Sequence, residues 1–123
     1  MNVLEKIIAA YAEPPVTATF DPEGIPMEVR IRKVTLLDQE AIEAVVDKKH
    51  PDKDDPKRGM AMTVEIFRRA LLDDDGAQAI KNDRDVTKLK EAIGVKRGME
   101  FIGFVAAKSM GFEDPAAGEA KKE

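Results

Sequence analysis

Apolar residues recur along this chain with two different periods, and the changes of period divide it into elements. Val3, Leu4, Ile7, Ile8 and Tyr11 fall three and four apart, the spacing of one helical face, which predicts a short amphipathic helix over residues 3–12. Asn2 stands where a cap is needed. Pro14 and Pro15 end the helix, because proline lacks the amide proton and restricts the residue before it. Val16, Ala18 and Phe20 then alternate with Thr17 and Thr19, and Ile25, Met27, Val29 and Ile31 alternate with Glu28, Arg30 and Arg32. Between the two runs, Asp21-Pro22-Glu23-Gly24 suits a type I turn followed by a glycine in the left-handed region. An antiparallel hairpin over about residues 16–34 is predicted, with one wet and one buried face. Two strands alone are marginal in water, so either a helix covers the apolar face or another chain extends the sheet.

Helical spacing returns at Thr35, a capping residue with Asp38 three positions on. The predicted helix runs to about residue 49, with Leu36, Leu37, Ala41, Ile42, Val45 and Val46 as a broad apolar face. Its acids Asp38, Glu40 and Glu43 lie early and Lys48 and Lys49 late, as the helix dipole favours. Residues 50–58 hold two prolines and no apolar side chain and are expected to form a mobile loop. A further helix is predicted over residues 59–73, with Met60, Val64, Phe67 and Leu71 on one stripe, Ile66 and Ala70 beside it, and Asp73-Asp74-Asp75-Gly76 as its end. Residues 77–83 read as irregular. Asp85 is the expected cap of a helix carrying Val86, Leu89, Ala92 and Ile93 and ending at Gly94. The last helix is predicted over residues 96–110, with Phe101, Ile102, Val105, Ala106 and Ser109 or Met110 on its periodic face and Phe104 widening it. Gly111 is its expected stop, with Phe112 folding back as a hydrophobic contact. Residues 113–123 lack any large apolar side chain and are expected to be disordered. The fold class predicted is mainly α with a β-hairpin (α+β). Four to five helices pack around one antiparallel hairpin in a single globular domain, residues 1–112, followed by the tail.

Composition narrows the chemistry. The 123 residues carry 20 basic and 24 acidic side chains, a formal net charge of −4, so bulk attraction to nucleic acid or to an anionic membrane is not expected. No apolar run approaches the roughly 20 residues of a membrane-spanning helix, and residues 1–6 do not read as a signal peptide. The absence of cysteine excludes disulfides, thiol nucleophiles and cysteine-ligated metal sites. It is also compatible with a reducing cytosol. His50 is the single histidine and Ser109 the single serine, so a two-histidine metal site within one chain is excluded, and His50, in a charged loop before a proline, reads as solvated. Asp52, Asp54 and Asp55 start a calcium-loop frame whose sixth and twelfth positions hold Lys57 and Thr63, and the frame through Asp73, Asp75 and Gly76 begins at Leu71 and ends at Asn82. Both frames fail. Gly94, Gly98 and Gly103 form no phosphate loop, since none is followed directly by Lys-Ser/Thr and no strand precedes them. No catalytic, cofactor or metal residue is therefore assigned. Arg30 and Arg32 on the hairpin, Arg68 and Arg69 on a helix, and the adaptable Met60 and Met62 remain as candidate partner-binding residues. Ordinary core filling is the plainer reading of the methionines.

Two segments resemble the tail assembly chaperones of tailed phages (siphophages). Met27-Glu28-Val29-Arg30-Ile31-Arg32-Lys33-Val34-Thr35 resembles the β segment, roughly Val-x-Val-Arg-x-Leu-Thr, that precedes that family's first long helix. Phe67-Arg68-Arg69-Ala70-Leu71-Leu72-Asp73-Asp74-Asp75-Gly76, followed by Val86-Thr87-Lys88-Leu89-Lys90-Glu91-Ala92, resembles its aspartate-glycine turn and Leu-x-Glu helix. The resemblance spans about residues 16–112. Segment 50–58 and the N-terminal helix depart from the family pattern. The resemblance implies a non-enzymatic protein of the host cytoplasm that binds the tape measure protein, keeps it soluble and helps recruit tail tube subunits through the hairpin edge and unused helix stripes. It leaves self-association open and implies neither nucleic acid nor membrane as a partner. Family members often have a second, longer product made by translational frameshifting, and Lys121-Lys122 is where adenine-rich codons would permit it here. A head–tail connector forming a closed ring and a small DNA-binding regulator are the alternative readings.

Overall fold

A computed structural model describes residues 2–111. The elements follow in the order α1 (Val3–Tyr11), β1 (Val16–Phe20), β2 (Met27–Ile31), α2 (Leu36–Lys49), α3 (Arg58–Ala70), β3 (Leu71–Leu72), α4 (Asp83–Ala92) and α5 (Val95–Ser109). This is the expected α+β class, five helices with an antiparallel sheet, and the sheet has one strand more than predicted.

The hairpin forms where the period-2 pattern places it. Gly24 takes φ +75°, the left-handed conformation its turn requires, and β1 folds back on β2 with Val16 opposite Ile31 and Phe20 opposite Met27. Ala18, Phe20, Val29 and Ile31 turn toward the core, and Thr17, Thr19, Glu28 and Arg30 face outward, exposed.

The predicted helix over 59–73 is corrected at both ends. It starts at Arg58 and stops at Ala70, and Leu71 and Leu72 leave it to pair antiparallel with Ile31 and Arg30. Leu71 continues the helical stripe, so periodicity alone cannot detect the exit. The gain comes from elsewhere in the chain. The second edge of β2 acquires a partner, with the Arg32 amide donating to the Ala70 carbonyl at 3.0 Å, and Leu72 becomes buried. Gly76, at φ +89°, then turns the chain so that the Asp73 amide reaches the Ala77 carbonyl at 2.7 Å.

The core lies between this sheet and the helices. Ile31, Phe67, Ala70, Phe101 and Val105 form its main cluster, where α3 crosses α5. The Phe67 and Phe101 rings meet edge-on at 5.7 Å, and Phe20 reaches Phe101 at 5.2 Å and Phe104 at 5.3 Å. A second cluster of Ile42, Val46, Ile66 and Ala106 joins α2 to α3 and α5, and Val34 touches both clusters. Gly98 is buried, and a β-carbon there would lie 3.2 Å from Ile93 Cγ2. Its lack of a side chain lets the segment after α4 lie close on α5.

Other expectations shift by smaller steps. Asn82, not Asp85, caps α4: its side chain accepts from the Asp85 amide at 3.0 Å, while the Asp85 carboxylate accepts from the Lys81 amide at 2.9 Å. Leu36 and Leu37, predicted to be part of the apolar face of α2, are 87% and 75% exposed. They occupy the first turn, ahead of the contact with α3 that buries Ile42 and Val46. Segment 50–58 is a hydrogen-bonded turn rather than a bare linker: His50 Nδ1 lies 3.0 Å from Asp55 Oδ2, and Arg58 donates to Asp47 at 2.6 Å and to the His50 carbonyl. Gly111 takes φ +79°, as its predicted stop requires. The Phe112 contact and the tail over 113–123 lie outside the described residues. The helix predicted over 3–12 forms, capped by Asn2 Oδ1 on the Glu5 amide at 2.8 Å, yet none of its residues is buried. It does not join the helices around the sheet.

Replacing Phe67 or Phe101 by alanine is expected to cost about 3–5 kcal/mol each in urea unfolding. The half-buried Phe104 is expected to cost less. A loss below about 1 kcal/mol at Phe67 contradicts this account of the core.

Candidate functional site

Four of the candidate residues are arginines, and the fold engages all of them. Arg32, just beyond β2, donates through Nη1 and Nη2 to Asp38 Oδ2 and Oδ1 at 2.8 and 3.0 Å, a bidentate pair. Arg69, from α3, reaches Asp38 Oδ1 at 3.4 Å. Asp38, the third residue of α2, also closes a capping box with Thr35: its carboxylate accepts from the Thr35 amide at 2.9 Å, and its own amide donates to Thr35 Oγ1 at 3.2 Å. The hydrogen bonds from Arg32 hold the Asp38 carboxyl well below the usual carboxylate range, with the Thr35 bonds acting in the same direction and burial opposing them. The same contact raises the Arg32 guanidinium above its ordinary value.

Arg68 donates to Asp83 Oδ1 at 2.7 Å and lies 3.5 Å from Glu65 Oε1, a buried carboxylate that Lys49 approaches at 3.8 Å. Arg30 is exposed and donates to the Asp74 carbonyl at 3.2 Å. Met60 and Arg68 line one open groove of about 450 Å³, together with Val45, Val64 and Val86. Met62 packs half-buried on the second core cluster. The structure thus brings Arg32 and Arg69 together on one carboxylate and Met60 and Arg68 into one groove, while Arg30 and Met62 stand apart. Lys121 and Lys122 lie outside the described residues.

The apolar residues of α1, predicted as a short amphipathic helix and not among the candidate partner-binding residues, stay unburied. Val3, Leu4, Ile7, Ile8 and Tyr11 of α1 are each more than half exposed. Lys33 Nζ donates to the Tyr11 carbonyl and ties the end of α1 to the strand region. The signal for this exposure was available only indirectly, in the Pro14-Pro15 break that separates the helix from everything it might pack on.

Among the described residues, no group of three or more His, Asp or Glu side chains is placed to hold a metal ion, and every buried side-chain nitrogen and oxygen has a hydrogen-bond partner. The aspartates of the two calcium-like stretches serve the backbone instead: Asp52 accepts from the Asp54 amide, Asp55 from Lys57 and Asp75 from Ala77. No described helix is long and apolar enough to cross a membrane. No family model, curated protein or solved structure matches the chain.

Asp38→Asn is expected to destabilise the fold by about 1.5–3 kcal/mol at pH 7, the range for hydrogen bonds to a charged group. A carboxyl whose folded pKa lies below its unfolded value contributes stability above the unfolded value and loses it as pH falls toward the folded one. The gap between parent and variant is therefore expected to narrow as pH drops below about 4, read from urea midpoints across the acid range. A gap that stays constant to the acid limit contradicts the assignment.

Proposed function

We propose that this chain is a non-enzymatic tail assembly chaperone of a tailed phage, which holds a tape measure protein in solution in the host cytoplasm and helps recruit tail tube subunits. The observation that carries the holding role is the apolar stripe of α1, left outside the core; α1 lies ahead of the segments that resemble the family, so the family reading itself rests on residues 27–35 and 67–92. An amphipathic helix of this kind binds by laying its apolar face against a complementary apolar stripe, read as anchors three and four residues apart. Fully covering a large aliphatic or aromatic side chain is worth about 1.5–3 kcal/mol. The five residues of α1 are 52–71% exposed, so each gains only part of that on being covered, and the sum is comparable to the cost of association, which suits weak, reversible holding. A long helical client offers many equivalent stripes, which suits a holding role more than a single-site one. The order of hairpin, long helix, aspartate-glycine turn and closing helix supports the family reading from a second direction.

Co-expression tests this. The chain is expected to keep a tape measure protein in the supernatant, and Ile7→Glu with Ile8→Glu is expected to lose that effect. The variant's melting temperature should match the parent's, because no residue of α1 is buried. A double variant that holds the client as well as the parent, or a parent that does not change the client's soluble fraction, contradicts the proposal.

A further inference from the structure

The three-stranded sheet closes one of its edges and leaves the other open. On the β3 side, the Leu71 carbonyl accepts from the Ala79 amide at 2.9 Å, and Leu72 bridges to Gln78. On the β1 side, no described residue pairs with the strand beyond β2.

The register tells which groups this free edge presents. Successive residues of a strand aim their N–H and C=O to opposite sides, so hydrogen-bonded and non-hydrogen-bonded pairs alternate. The Arg32 amide points to β3, on the Ala70 carbonyl. Val29 and Ile31 therefore bond toward β1, where they face Ala18 and Val16. It follows that Thr17 and Thr19 direct their N–H and C=O groups outward, and no described backbone or side-chain group bonds to either residue there.

Exposed edges are ordinarily guarded by charge, proline or a bulge. β1, Val16-Thr17-Ala18-Thr19-Phe20, has none of these within it, and its sequence is nearly symmetric about Ala18. We propose that β1 pairs antiparallel with β1 of a second copy of this chain, on a two-fold axis at Ala18, to make one six-stranded sheet. Thr17 of each copy then lies opposite Thr19 of the other as a hydrogen-bonded pair, and the four outward N–H and four outward C=O groups of the two strands satisfy one another. On the core face Val16, now exposed, lies opposite Phe20 of the other copy. A β-branched residue against an aromatic one, in the closer non-hydrogen-bonded position, is a favourable cross-strand pair. The two-fold pairing is isologous, so it stops at two copies. An uncharged, self-matching strand favours its own copy over a partner segment, which would need no such symmetry.

Charge reversal at Thr17 and Thr19 tests the register. Both side chains are exposed, on the face away from the core. The full-length chain is expected to sediment as a monomer–dimer mixture at concentrations up to about 1 mM, since an interface of two short strands is small. Thr17→Glu with Thr19→Glu, and separately Thr17→Lys with Thr19→Lys, place like charges opposite each other in both outer pairs. Each variant is expected to weaken the dimer on the order of tenfold. Mixing the two variants makes every outer pair opposite in charge and is expected to restore dimer. Thr17→Glu with Thr19→Lys matches Arg30 and Glu28 within the chain as well as the second copy. It is expected to fold like the parent and to dimerise at least as tightly, more so at low salt. A parent that remains monomeric overturns the proposal, including the case in which removing residues 112–123 or adding an extended peptide is needed to reveal pairing at β1. Like-charge variants that dimerise as well as the parent also overturn it, because the contact then runs through another surface such as α1.

Discussion

Asp38 is the point on which the arrangement of elements depends. Its carboxylate meets a guanidinium from the end of the hairpin, a second from α3 and the capping hydroxyl of α2. Each of these elements could pack in several ways on apolar contacts alone, because hydrophobic burial is non-directional. A bidentate Arg32–Asp38 pair is directional, and at 13% side-chain exposure Asp38 is withdrawn enough from water for the pair to exceed the worth of a surface ion pair. The same short stretch carries Val34, whose amide donates to the Ser109 carbonyl at 3.1 Å near the end of α5. Residues 32–38 therefore bring sheet, α2, α3 and α5 to one place.

The early end of α3 follows from the needs of the sheet. Two more helical residues would add two backbone hydrogen bonds, while releasing Leu71 and Leu72 provides β2 with a second neighbour and buries Leu72. A two-stranded hairpin has little independent stability, so the exchange favours the sheet. Its consequence is asymmetry. The chain closes the β3 edge with the turn through Gly76, and the β1 edge receives nothing comparable.

Local signals were the legible part of the sequence. The hairpin rests on alternation, the turns on glycines with positive φ, and the start of α2 on a capping box, each contained within about ten residues. What escaped depends on partners far along the chain. Leu71 satisfies the helical stripe and the strand equally, and β2, forty residues earlier, decides between them. Leu36 and Leu37 match the periodicity of a buried face, yet α3 crosses α2 one turn later. Arg32 and Arg69 read as available for a partner because Asp38, whose one carboxylate contacts both, signals in sequence only a cap and a dipole partner. Net amphipathicity likewise could not show that α1 lacks a surface within its own chain to cover it.

The two proposed contacts use adjacent but separate parts of the N-terminal region. α1 offers side chains and β1 offers backbone, and Pro14-Pro15 stands between them. A proline pair is a stiff spacer without amide donors, so a strand can be occupied without drawing the helix into the sheet. Pairing at β1 would then carry two copies of α1 on one six-stranded platform. A long helical client with repeated apolar stripes could engage both, and the second engagement would be intramolecular, raising retention well beyond that of one nine-residue helix. A weak anchor made bivalent would hold such a client while letting either helix release, which is what the proposed holding role requires.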